Sequence, residues 1–315
     1  MSSNFGPHTT AEEAATVLAN QIKGKNVLIT GASPGSLGAE FARVVAKFGA
    51  GLIVITGRSK AKLEQAETAI KSQTPSANIR LLILDLESFA AVRAAADEVL
   101  NYPEPLHVLV NNAGIMAVDY RKTIDGYEAQ FAVNHLAHFL FTARIFPKLR
   151  ESNARIVNVS SLAHTYAPIR FNDPGFSNGE KYERWEAYGQ SKTANILFSR
   201  ELARRGVVSF SVHPGTIYTN LAHETPVEEM VKLGLFNEKG EPVDTETITW
   251  KTLGQGASTH IVAAFDESII PQSGSYLVDG NVRDDLAVPH AKDMESAKKL
   301  WELSEQFVGE DFPLV

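Results

Sequence analysis

The chain of 315 residues contains no cysteine. Disulfide bonds, cysteine-ligated zinc, thiol nucleophiles and a prenylation signal are therefore all excluded. The sequence also lacks any apolar run near the roughly 18 residues that span a bilayer, and its N-terminus has no basic stretch leading into an apolar segment. We expect a cytoplasmic protein without a membrane span, whose chemistry uses oxygen, nitrogen or a cofactor.

Positive charge is also scarce, because 30 Lys and Arg residues face 37 Asp and Glu residues, for a net charge of −7. Nucleic acids and anionic membranes are bound by clustered positive charge, so neither is an expected partner. The 44% apolar and 21% charged residues fit a folded globular protein. No break in composition marks a linker and no internal repeat occurs, so we predict one domain over residues 1–315.

Short apolar runs alternate with longer amphipathic segments. Runs of this length, rich in Val, Ile and Leu, are typical of strands buried on both faces of a parallel sheet. They are NVLIT (26–30), GLIVIT (51–56), RLLILDL (80–86), LHVLVNNAG (106–114), ARIVNVSS (154–161) and VVSFSVHPG (207–215). Strands and helices that alternate in this way predict an α/β protein with a Rossmann-like, doubly wound parallel sheet of about seven strands and helices on both faces.

Three segments lie outside this alternation. Residues 1–24 predict an N-terminal helical extension that begins near Thr10, because Glu12 and Glu13 follow as first-turn acids. Residues 216–248 are polar and contain proline, which indicates an insertion on the substrate side that can cover a cleft. Residues 288–315 form a C-terminal extension with a final amphipathic segment.

The first strand runs into the turn T-G-A-S-P-G-S-L-G, which places Gly31, Gly35 and Gly38 between a strand and a helix. There glycine lets the backbone approach a pyrophosphate, whose charge is met by N–H groups at the helix start. A plain tight turn is the alternative. The position between the first strand and the first helix favours a nucleotide site, although the spacing is not G-x-G-x-x-G.

About 20 residues beyond such a turn, an acid holds the ribose 2′-hydroxyl of NAD, whereas an arginine accommodates the 2′-phosphate of NADP. This sequence has Arg58 at that distance, followed by Lys60 and Lys62. We therefore expect NADP(H) in preference to NAD(H), although lysines that open a helix are often merely solvated. Asp85, which ends the third strand, either binds an adenine amino group or caps the next helix.

The stretch A-Y-G-Q-S-K places Tyr188 and Lys192 four residues apart, on one face of a helix. A phenol with a pKa of about 10 is a poor acid or base at neutral pH. A nearby ammonium favours the phenolate and would lower that pKa toward the working range. Such pairs are common on helix surfaces, so the interpretation depends on accompanying motifs.

From about Lys25 to Gly280 the chain resembles the short-chain dehydrogenase/reductase family in six motifs that follow the family's order. They are T-G-x-x-x-G (30–35), N-N-A-G (111–114), the asparagine of V-N-H (133–135), the S-S that closes the fifth strand, Tyr188 with Lys192, and P-G-x-x-x-T (214–219). The resemblance implies hydride transfer between a nicotinamide cofactor and the carbonyl or alcohol group of a small-molecule substrate, which we expect to be medium-sized and apolar. No metal is implied.

The resemblance also implies residue roles. Tyr188 would donate or accept the proton, and Ser161 would polarise the carbonyl. Lys192 would lower the pKa of the tyrosine and hold the nicotinamide ribose. Asn134 would fix a helix kink and a water chain that returns the proton. Ser160 competes with Ser161, but the family usually uses the second serine of the pair.

By the same resemblance, the cofactor would be held along the whole cleft, with Tyr188 and Lys192 at its nicotinamide end. The implied residues are Gly31, Ser33, Gly35 and Leu37 at the phosphates, Arg58 at the 2′-phosphate, Asp85 and Leu86 near the adenine, Asn112, Ala113 and Gly114 along the adenosine, and Pro214, Gly215, Ile217 and Thr219 against the carboxamide.

Two features depart from the usual family pattern. The glycine turn has one extra residue, because Ser36 and Leu37 separate Gly35 from Gly38. Ser161 and Tyr188 are 27 positions apart, about twice the common spacing. The inserted segment is similar to that of the retinol-dehydrogenase-like branch, which often prefers NADP(H) and bulky apolar substrates. Membrane-bound members of that branch carry an N-terminal anchor, which we do not expect here. A homodimer or homotetramer through paired long helices is possible.

Two other functions remain open at this point. G-A-S-P-G fits a nucleophile elbow, which would make Ser33 the nucleophile of a serine hydrolase with a histidine such as His213 downstream. A catalytically silent nucleotide sensor or scaffold would keep the glycine turn and lose the tyrosine or the lysine. His135 and His138 are more simply packing residues than metal ligands, since no third ligand is near in the pattern.

Overall fold

A computed structural model describes residues 5–221, 225–245 and 249–313. The strands in these ranges are β1 Asn26–Ile29, β2 Leu52–Gly57, β3 Ile79–Ile83, β4 Val108–Asn111, β5 Arg155–Val159, β6 Ser209–His213, β7 Thr216–Ile217, β8 Trp250–Lys251, β9 Tyr276–Val278 and β10 Asn281–Val282. The α-helices are α1 Ala11–Val17, α2 Ala19–Ile22, α3 Leu37–Lys47, α4 Lys60–Gln73, α5 Phe89–Leu100, α6 Ala129–Phe131, α7 Ala137–Glu151, α8 Arg184–Arg204, α9 Val227–Lys232, α10 Leu253–Phe265, α11 Pro289–Lys292 and α12 Met294–Val308.

The predicted alternation of strands and helices produces the expected α/β fold. The main sheet has the order β10-β9-β6-β5-β4-β1-β2-β3. Neighbouring strands are parallel from β9 to β3, and the two-residue β10 pairs antiparallel with β9. The described sheet thus has eight strands where about seven were predicted, because the chain turns back after Val278 and adds a short edge strand.

Serines begin the helices that follow the first three strands. Ser36, Ser59 and Ser88 cap α3, α4 and α5, and each hydroxyl accepts a hydrogen bond from the backbone N–H three residues later. Such caps satisfy N–H groups that have no partner inside the helix. Local sequence therefore sets where the chain leaves the sheet and becomes helical.

The sheet separates two hydrophobic cores. On one face, Phe139, Phe198 and Trp301 belong to the core that α5, α7, α8 and α12 form with the sheet. On the other face, Phe41, Ile261 and Phe265 belong to the core of α1, α3, α4 and α10. Burial on both faces is the reason that the strand sequences are continuously apolar.

The three segments outside the alternation pack on this framework. Helix α1 begins at Ala11, where Thr10 and Glu13 form a reciprocal capping box, and it packs on α10. The 216–248 segment contains β7 and α9, and β7 pairs with β8 at its base. Helix α12 packs on α8. Residues 1–4, 222–224, 246–248 and 314–315 of the three predicted segments lie outside the described residues.

Candidate active site

A cleft of about 630 Å³ opens at the carboxyl ends of the central strands. Beside β1 the chain order of the sheet reverses, since β2 lies on one side and β4 on the other. In doubly wound sheets ligands bind at this reversal, outside the carboxyl ends of the strands. The glycine turn after β1 and the N-N-A-G segment after β4 both line the cleft.

The glycine turn brings backbone close to backbone. A Cβ on Gly31 would lie 2.9 Å from the Cα of Ala113, and Gly31 also has φ +74°. A Cβ on Gly38 would lie 2.6 Å from the carbonyl oxygen of Gly31. The extra residue of the turn is accommodated because Ser36 caps α3 and donates its hydroxyl to the Gly31 carbonyl at 3.0 Å. The start of α3 therefore faces the cleft with the first-turn N–H groups that bind phosphates.

Thr30 joins the two segments at the reversal. Its Oγ1 accepts hydrogen bonds from the backbone N–H groups of Asn112 and Ala113, each at 2.9 Å. The same oxygen lies 2.9 Å from Nε2 of the buried His138, so its own hydrogen points to that ring. Asn112 in turn donates its side-chain amide to the Thr30 carbonyl at 2.7 Å. His138 is thus a packing residue that supports the cleft wall.

At the far end of the cleft lie Arg58, Lys62, Asp85 and Leu86. Asp85 does not cap α5, which Ser88 caps; its carboxylate accepts a hydrogen bond from the backbone N–H of Glu87 at 3.0 Å. Arg58 pairs with Glu87 at 2.8 Å. Glu87 was not among the predicted site residues. It lies 29 positions after Arg58, and nothing in the sequence indicates that these two side chains form an ion pair.

The two serines that follow β5 have different surroundings. Ser160 is buried and donates its hydroxyl to the Lys192 carbonyl at 2.8 Å. Ser161 lines the cleft, accepts a hydrogen bond from the Ala163 N–H and is hydrogen-bonded to Tyr188. Of the two, only Ser161 has its hydroxyl beside the phenol, so the geometry favours it for contact with a substrate oxygen.

Tyr188 lies on α8 and is 4% exposed, with its phenol at the cleft. Burial raises the pKa of Tyr188 well above its ordinary value, and the hydrogen bond from Ser161 offsets part of this rise. We predicted a lowered pKa, caused by Lys192. The structure differs because removal of the phenolate from water outweighs the interactions that favour it. In this state the Tyr188 phenol is protonated at neutral pH.

Lys192 lies one turn after Tyr188, as the spacing predicts. Its Nζ donates to the Val159 carbonyl at 3.1 Å and lies 5.5 Å from the centroid of the Tyr188 ring. Burial lowers the pKa of Lys192 to about 8. The amine is therefore mainly protonated at neutral pH.

Asn134 does not line the cleft but connects two parts of its wall. It lies in a π-helical turn, Ala132–Leu136, between α6 and α7. Its Oδ1 accepts from the Ile115 N–H, and its Nδ2 donates to the Ile115 carbonyl and to Ser191 Oγ, all at 2.9 Å. The predicted interruption of the helix is present at this position. Single π-helical turns are common where a side chain must be aimed at a site.

The structure thus brings together nearly all of the predicted site residues. Apart from Gly35 and Asn134, they all line the cleft: Gly31, Ser33, Leu37, Arg58, Asp85, Leu86, Asn112, Ala113, Gly114, Ser161, Tyr188, Lys192, Pro214, Gly215, Ile217 and Thr219. Gly35 has φ +75° and shapes the turn behind it.

Apolar residues from distant segments complete the cleft, and the predicted 216–248 insertion supplies three of them, although none was predicted individually. They are Met116, Leu162, Tyr166, Trp185, Leu221, Met230, Leu235 and Trp250. Tyr166, Trp185 and Tyr188 form a series of edge-to-face ring contacts at 6.4 and 6.2 Å. On the insertion, Phe236 packs between Tyr218 and Trp250 at 5.7 and 5.8 Å.

Two absences apply to the parts of the chain that the structure describes. In residues 5–221, 225–245 and 249–313, no group of three or more His, Asp or Glu side chains is placed to hold a metal ion. Over the same ranges, no helix is both long enough and apolar enough to cross a bilayer.

Sequence comparison relates the chain to known proteins. A family model described as short chain dehydrogenase matches residues 25–173. Retinol dehydrogenase 12 of Mus musculus is 38% identical over 294 residues, which cover 92% of this chain and 88% of that protein. Short-chain dehydrogenase TIC 32 A, chloroplastic, of Brassica napus is 35% identical and covers 97% of this chain and 95% of its own length.

Solved structures show the same fold. An uncharacterized protein from Mycobacterium paratuberculosis matches with a TM-score of 0.69 and 32% identity, over 93% of this chain and 96% of its own. A short chain dehydrogenase from Escherichia coli CFT073, solved with NADPH, has a TM-score of 0.61 and 22% identity, over 83% of this chain and 98% of its own. At that identity the second match supports the fold alone.

Proposed function

Because the chain belongs to the short-chain dehydrogenase/reductase family, we propose that it is an NADP(H)-dependent oxidoreductase that interconverts an apolar carbonyl compound and its alcohol. The observation that carries this proposal is the convergence of Ser161, Tyr188 and Lys192 on one cleft at the reversal of the sheet. Membership of the family gives the reaction class, which is oxidation and reduction of alcohols and carbonyls. The cofactor preference and the substrate are inferred from this chain's own residues.

The cleft fits a dinucleotide. A Cβ on Gly31 or Gly38 would collide with Ala113 or with the Gly31 carbonyl, so glycine permits the tight turn that brings the start of α3 to the cleft. When bound, a nicotinamide cofactor donates or accepts the hydride. Arg58 and Lys62 line the far end of the cleft and offer positive charge to a 2′-phosphate, whereas Asp85 already binds the Glu87 N–H. These cations support NADP(H) over NAD(H).

Three residues of the chain bind the substrate oxygen and transfer its proton. In the reductive direction Ser161 and Tyr188 donate hydrogen bonds to the carbonyl oxygen, and Tyr188 then transfers its proton to that oxygen. The Lys192 ammonium then stabilises the negative charge of the phenolate that remains. Such donors, placed before the reaction where charge develops, supply much of an enzyme's rate enhancement. In the oxidative direction the same tyrosine must first lose its proton.

The substrate class follows from the lining near Tyr188. Tyr166 and Trp185 lie beside Tyr188, Leu162 directly follows Ser161, and Met230 and Trp250 add further apolar and aromatic lining to the cleft. Burial of apolar substrate surface against such residues contributes about 25 cal/mol per Å². We therefore infer a medium-sized apolar aldehyde, ketone or alcohol. The cytoplasmic location expected from the sequence stays a prediction.

The two other functions fit the geometry less well. Ser33 follows β1 and His213 ends β6, and β4 and β5 lie between those strands. Three strand spacings amount to about 14 Å, beyond the hydrogen-bond reach that a hydrolase dyad needs. A silent sensor has no use for Tyr188 and Lys192 together at the cleft.

The decisive experiment compares NADPH and NADH oxidation by the purified chain against a panel of apolar aldehydes and ketones. Loss of a general acid costs about 10²- to 10⁴-fold in rate, so Tyr188→Phe should lose at least about 100-fold in turnover while it still binds the cofactor. Tyr102→Phe is the matched control, since its hydroxyl contacts Glu98 outside the cleft. Near-normal turnover in Tyr188→Phe would refute the proposed role. NADPH binding without any turnover in the wild type would instead favour the sensor.

A further inference from the structure

A single carboxylate lies between two guanidinium groups at the far end of the cleft. Oε1 of Glu87 is 2.8 Å from Nη1 of Arg58. Arg121 holds the same carboxylate with two nitrogens, Nη1 at 2.6 Å from Oε2 and Nη2 at 3.0 Å from Oε1. Arg58 and Glu87 line the cleft, and the Arg58 side chain is 58% exposed.

The carboxylate is charged and its position is fixed. The hydrogen bond from Arg121 is the main cause that holds the pKa of Glu87 below its ordinary value, and the nearby Arg58 charge acts in the same direction against burial. The backbone N–H of Glu87 donates a hydrogen bond to the Asp85 carboxylate at 3.0 Å, and the next residue, Ser88, caps α5. Glu87 is therefore a permanent negative charge beside the predicted 2′-phosphate position.

We propose that Glu87 is a specificity-determining residue, which weakens the binding of NADP(H) relative to NAD(H) by competing with the 2′-phosphate for Arg58. The inference rests on the proposed function, in particular on Arg58 as the ligand of that phosphate. Arg58 favours NADP(H) over NAD(H), and Glu87 opposes this preference and thereby limits its strength.

The competition follows from the chemistry of the two anions. Carboxylates and phosphates make the same charge-assisted contacts with the planar guanidinium fork, so Arg58 cannot satisfy both fully. A phosphate monoester also carries about −1.5 to −2 charges at neutral pH and is repelled by a carboxylate a few ångströms away. NADH carries a hydroxyl at this position and experiences neither effect.

Arg121 moderates the effect of Glu87. It holds both carboxylate oxygens, whereas Arg58 holds one, so it restrains Glu87 and leaves most of the Arg58 fork available. Without Arg121, the carboxylate would be free to make a full pair with Arg58. Neutralisation of Glu87 and of Arg121 should therefore shift cofactor preference in opposite directions.

The experiment measures dissociation constants of NADPH and NADH by fluorescence titration of the full chain at constant ionic strength. Exposed charge pairs are worth up to about 1 kcal/mol, which is about fivefold in affinity. Glu87→Gln should therefore bind NADPH about two- to fivefold more tightly, and Arg121→Gln should bind it about two- to fivefold more weakly, each with a much smaller change for NADH. Glu64→Gln is the matched control: it makes the same charge change next to Lys60, 3.7 Å away, and does not line the cleft.

Arg58→Gln separates failure of this inference from failure of the proposed cofactor preference. If Arg58→Gln weakens NADPH binding but Glu87→Gln leaves it unchanged or weaker, Glu87 does not compete and only this inference is overturned. If Arg58→Gln leaves NADPH binding unchanged, the 2′-phosphate is bound elsewhere and both statements fail. An equal gain in Glu64→Gln would mean that net charge alone is responsible, and would also overturn the role of Glu87.

Discussion

Nδ2 of Asn134 donates a hydrogen bond to Oγ of Ser191 at 2.9 Å, and that hydroxyl in turn donates to the Tyr188 carbonyl at 2.7 Å. The π-helical turn is thus linked through a serine to the backbone of Tyr188, the residue that we propose as the proton donor. Ser191 is completely buried. It acts as a positioning residue, because its contacts are to Asn134 and to the backbone of Tyr188.

Ser191→Ala is expected to lower kcat about tenfold, equivalent to about 1.4 kcal/mol, and to change cofactor affinity little, because the loss affects only the placement of Tyr188. Steady-state kinetics and NADPH titration test this. Ser199→Ala is the matched control, since it removes another buried hydroxyl of α8 that accepts a hydrogen bond from Asn158 at 2.9 Å, well away from the cleft. If both variants lose kcat equally, the effect is general destabilisation of the helix.

The pH dependence of carbonyl reduction should report Lys192. Burial keeps the Tyr188 phenol protonated and lowers the pKa of Lys192 to about 8. As pH rises through about 8, the amine loses its charge and no longer stabilises the phenolate that forms, so kcat should fall. Lys192→Arg, whose charge persists to pH 12 and above, should retain part of the activity and lose this alkaline decline. A decline at the same pH in both proteins would assign it to another group.

Acid should destabilise the fold through buried histidines. His260 lies on α10 and is completely buried, and burial lowers its pKa from 6.5 to about 4. Between these values the unfolded chain binds more protons than the folded one, so the free energy of unfolding falls as pH decreases below 6.5. His260→Leu should remove about 1 kcal/mol of the loss between pH 7.5 and 5.5, as measured by urea unfolding at both values. An unchanged pH dependence would contradict this.

Helix α8, which is 21 residues long, leaves little surface for pairing with a second copy. From Ala187 to Ser199 every side chain of α8 is buried. Helix α12 packs on α8, and the ring of Phe312 packs against those of Trp301 and Phe139 at centroid distances of 4.6 and 5.5 Å. We therefore predict that no dimer forms through these helices and that light scattering after gel filtration gives the mass of one chain, 34.3 kDa. A stable dimer of twice that mass would show that another surface pairs or that α12 moves.

The C-terminal residues that cover these helices should matter for stability. Phe312 is 6% exposed and also packs against Phe146, with centroids 5.0 Å apart. Phe312→Ala removes a buried aromatic ring and should cost about 3 kcal/mol. Leu286→Ala, at a side chain that is 42% exposed, is the control and should cost little. Thermal unfolding of both variants tests this, and equal midpoints would contradict it.

The sheet, the glycine turn and the Tyr188–Lys192 pair could all be predicted from the amino-acid sequence. These features depend on local regularities: continuous apolar runs produce strands buried on both faces, and a spacing of four places two side chains on one helical face. Ser36, Ser59 and Ser88 likewise define helix starts through contacts three residues away. Such features can be predicted from the sequence because the residues that determine them lie within the same short segment.

Contacts between distant segments could not be predicted in this way, because they form when the chain folds. Burial, which depends on what covers a side chain, raised the pKa of Tyr188 where the neighbouring lysine predicted a decrease. The pairing of Arg58 with Glu87 and the link from Asn134 to Ser191 join residues 29 and 57 positions apart. No periodicity relates such residues, because their proximity arises from the order of strands in the sheet and from the packing of helices upon it.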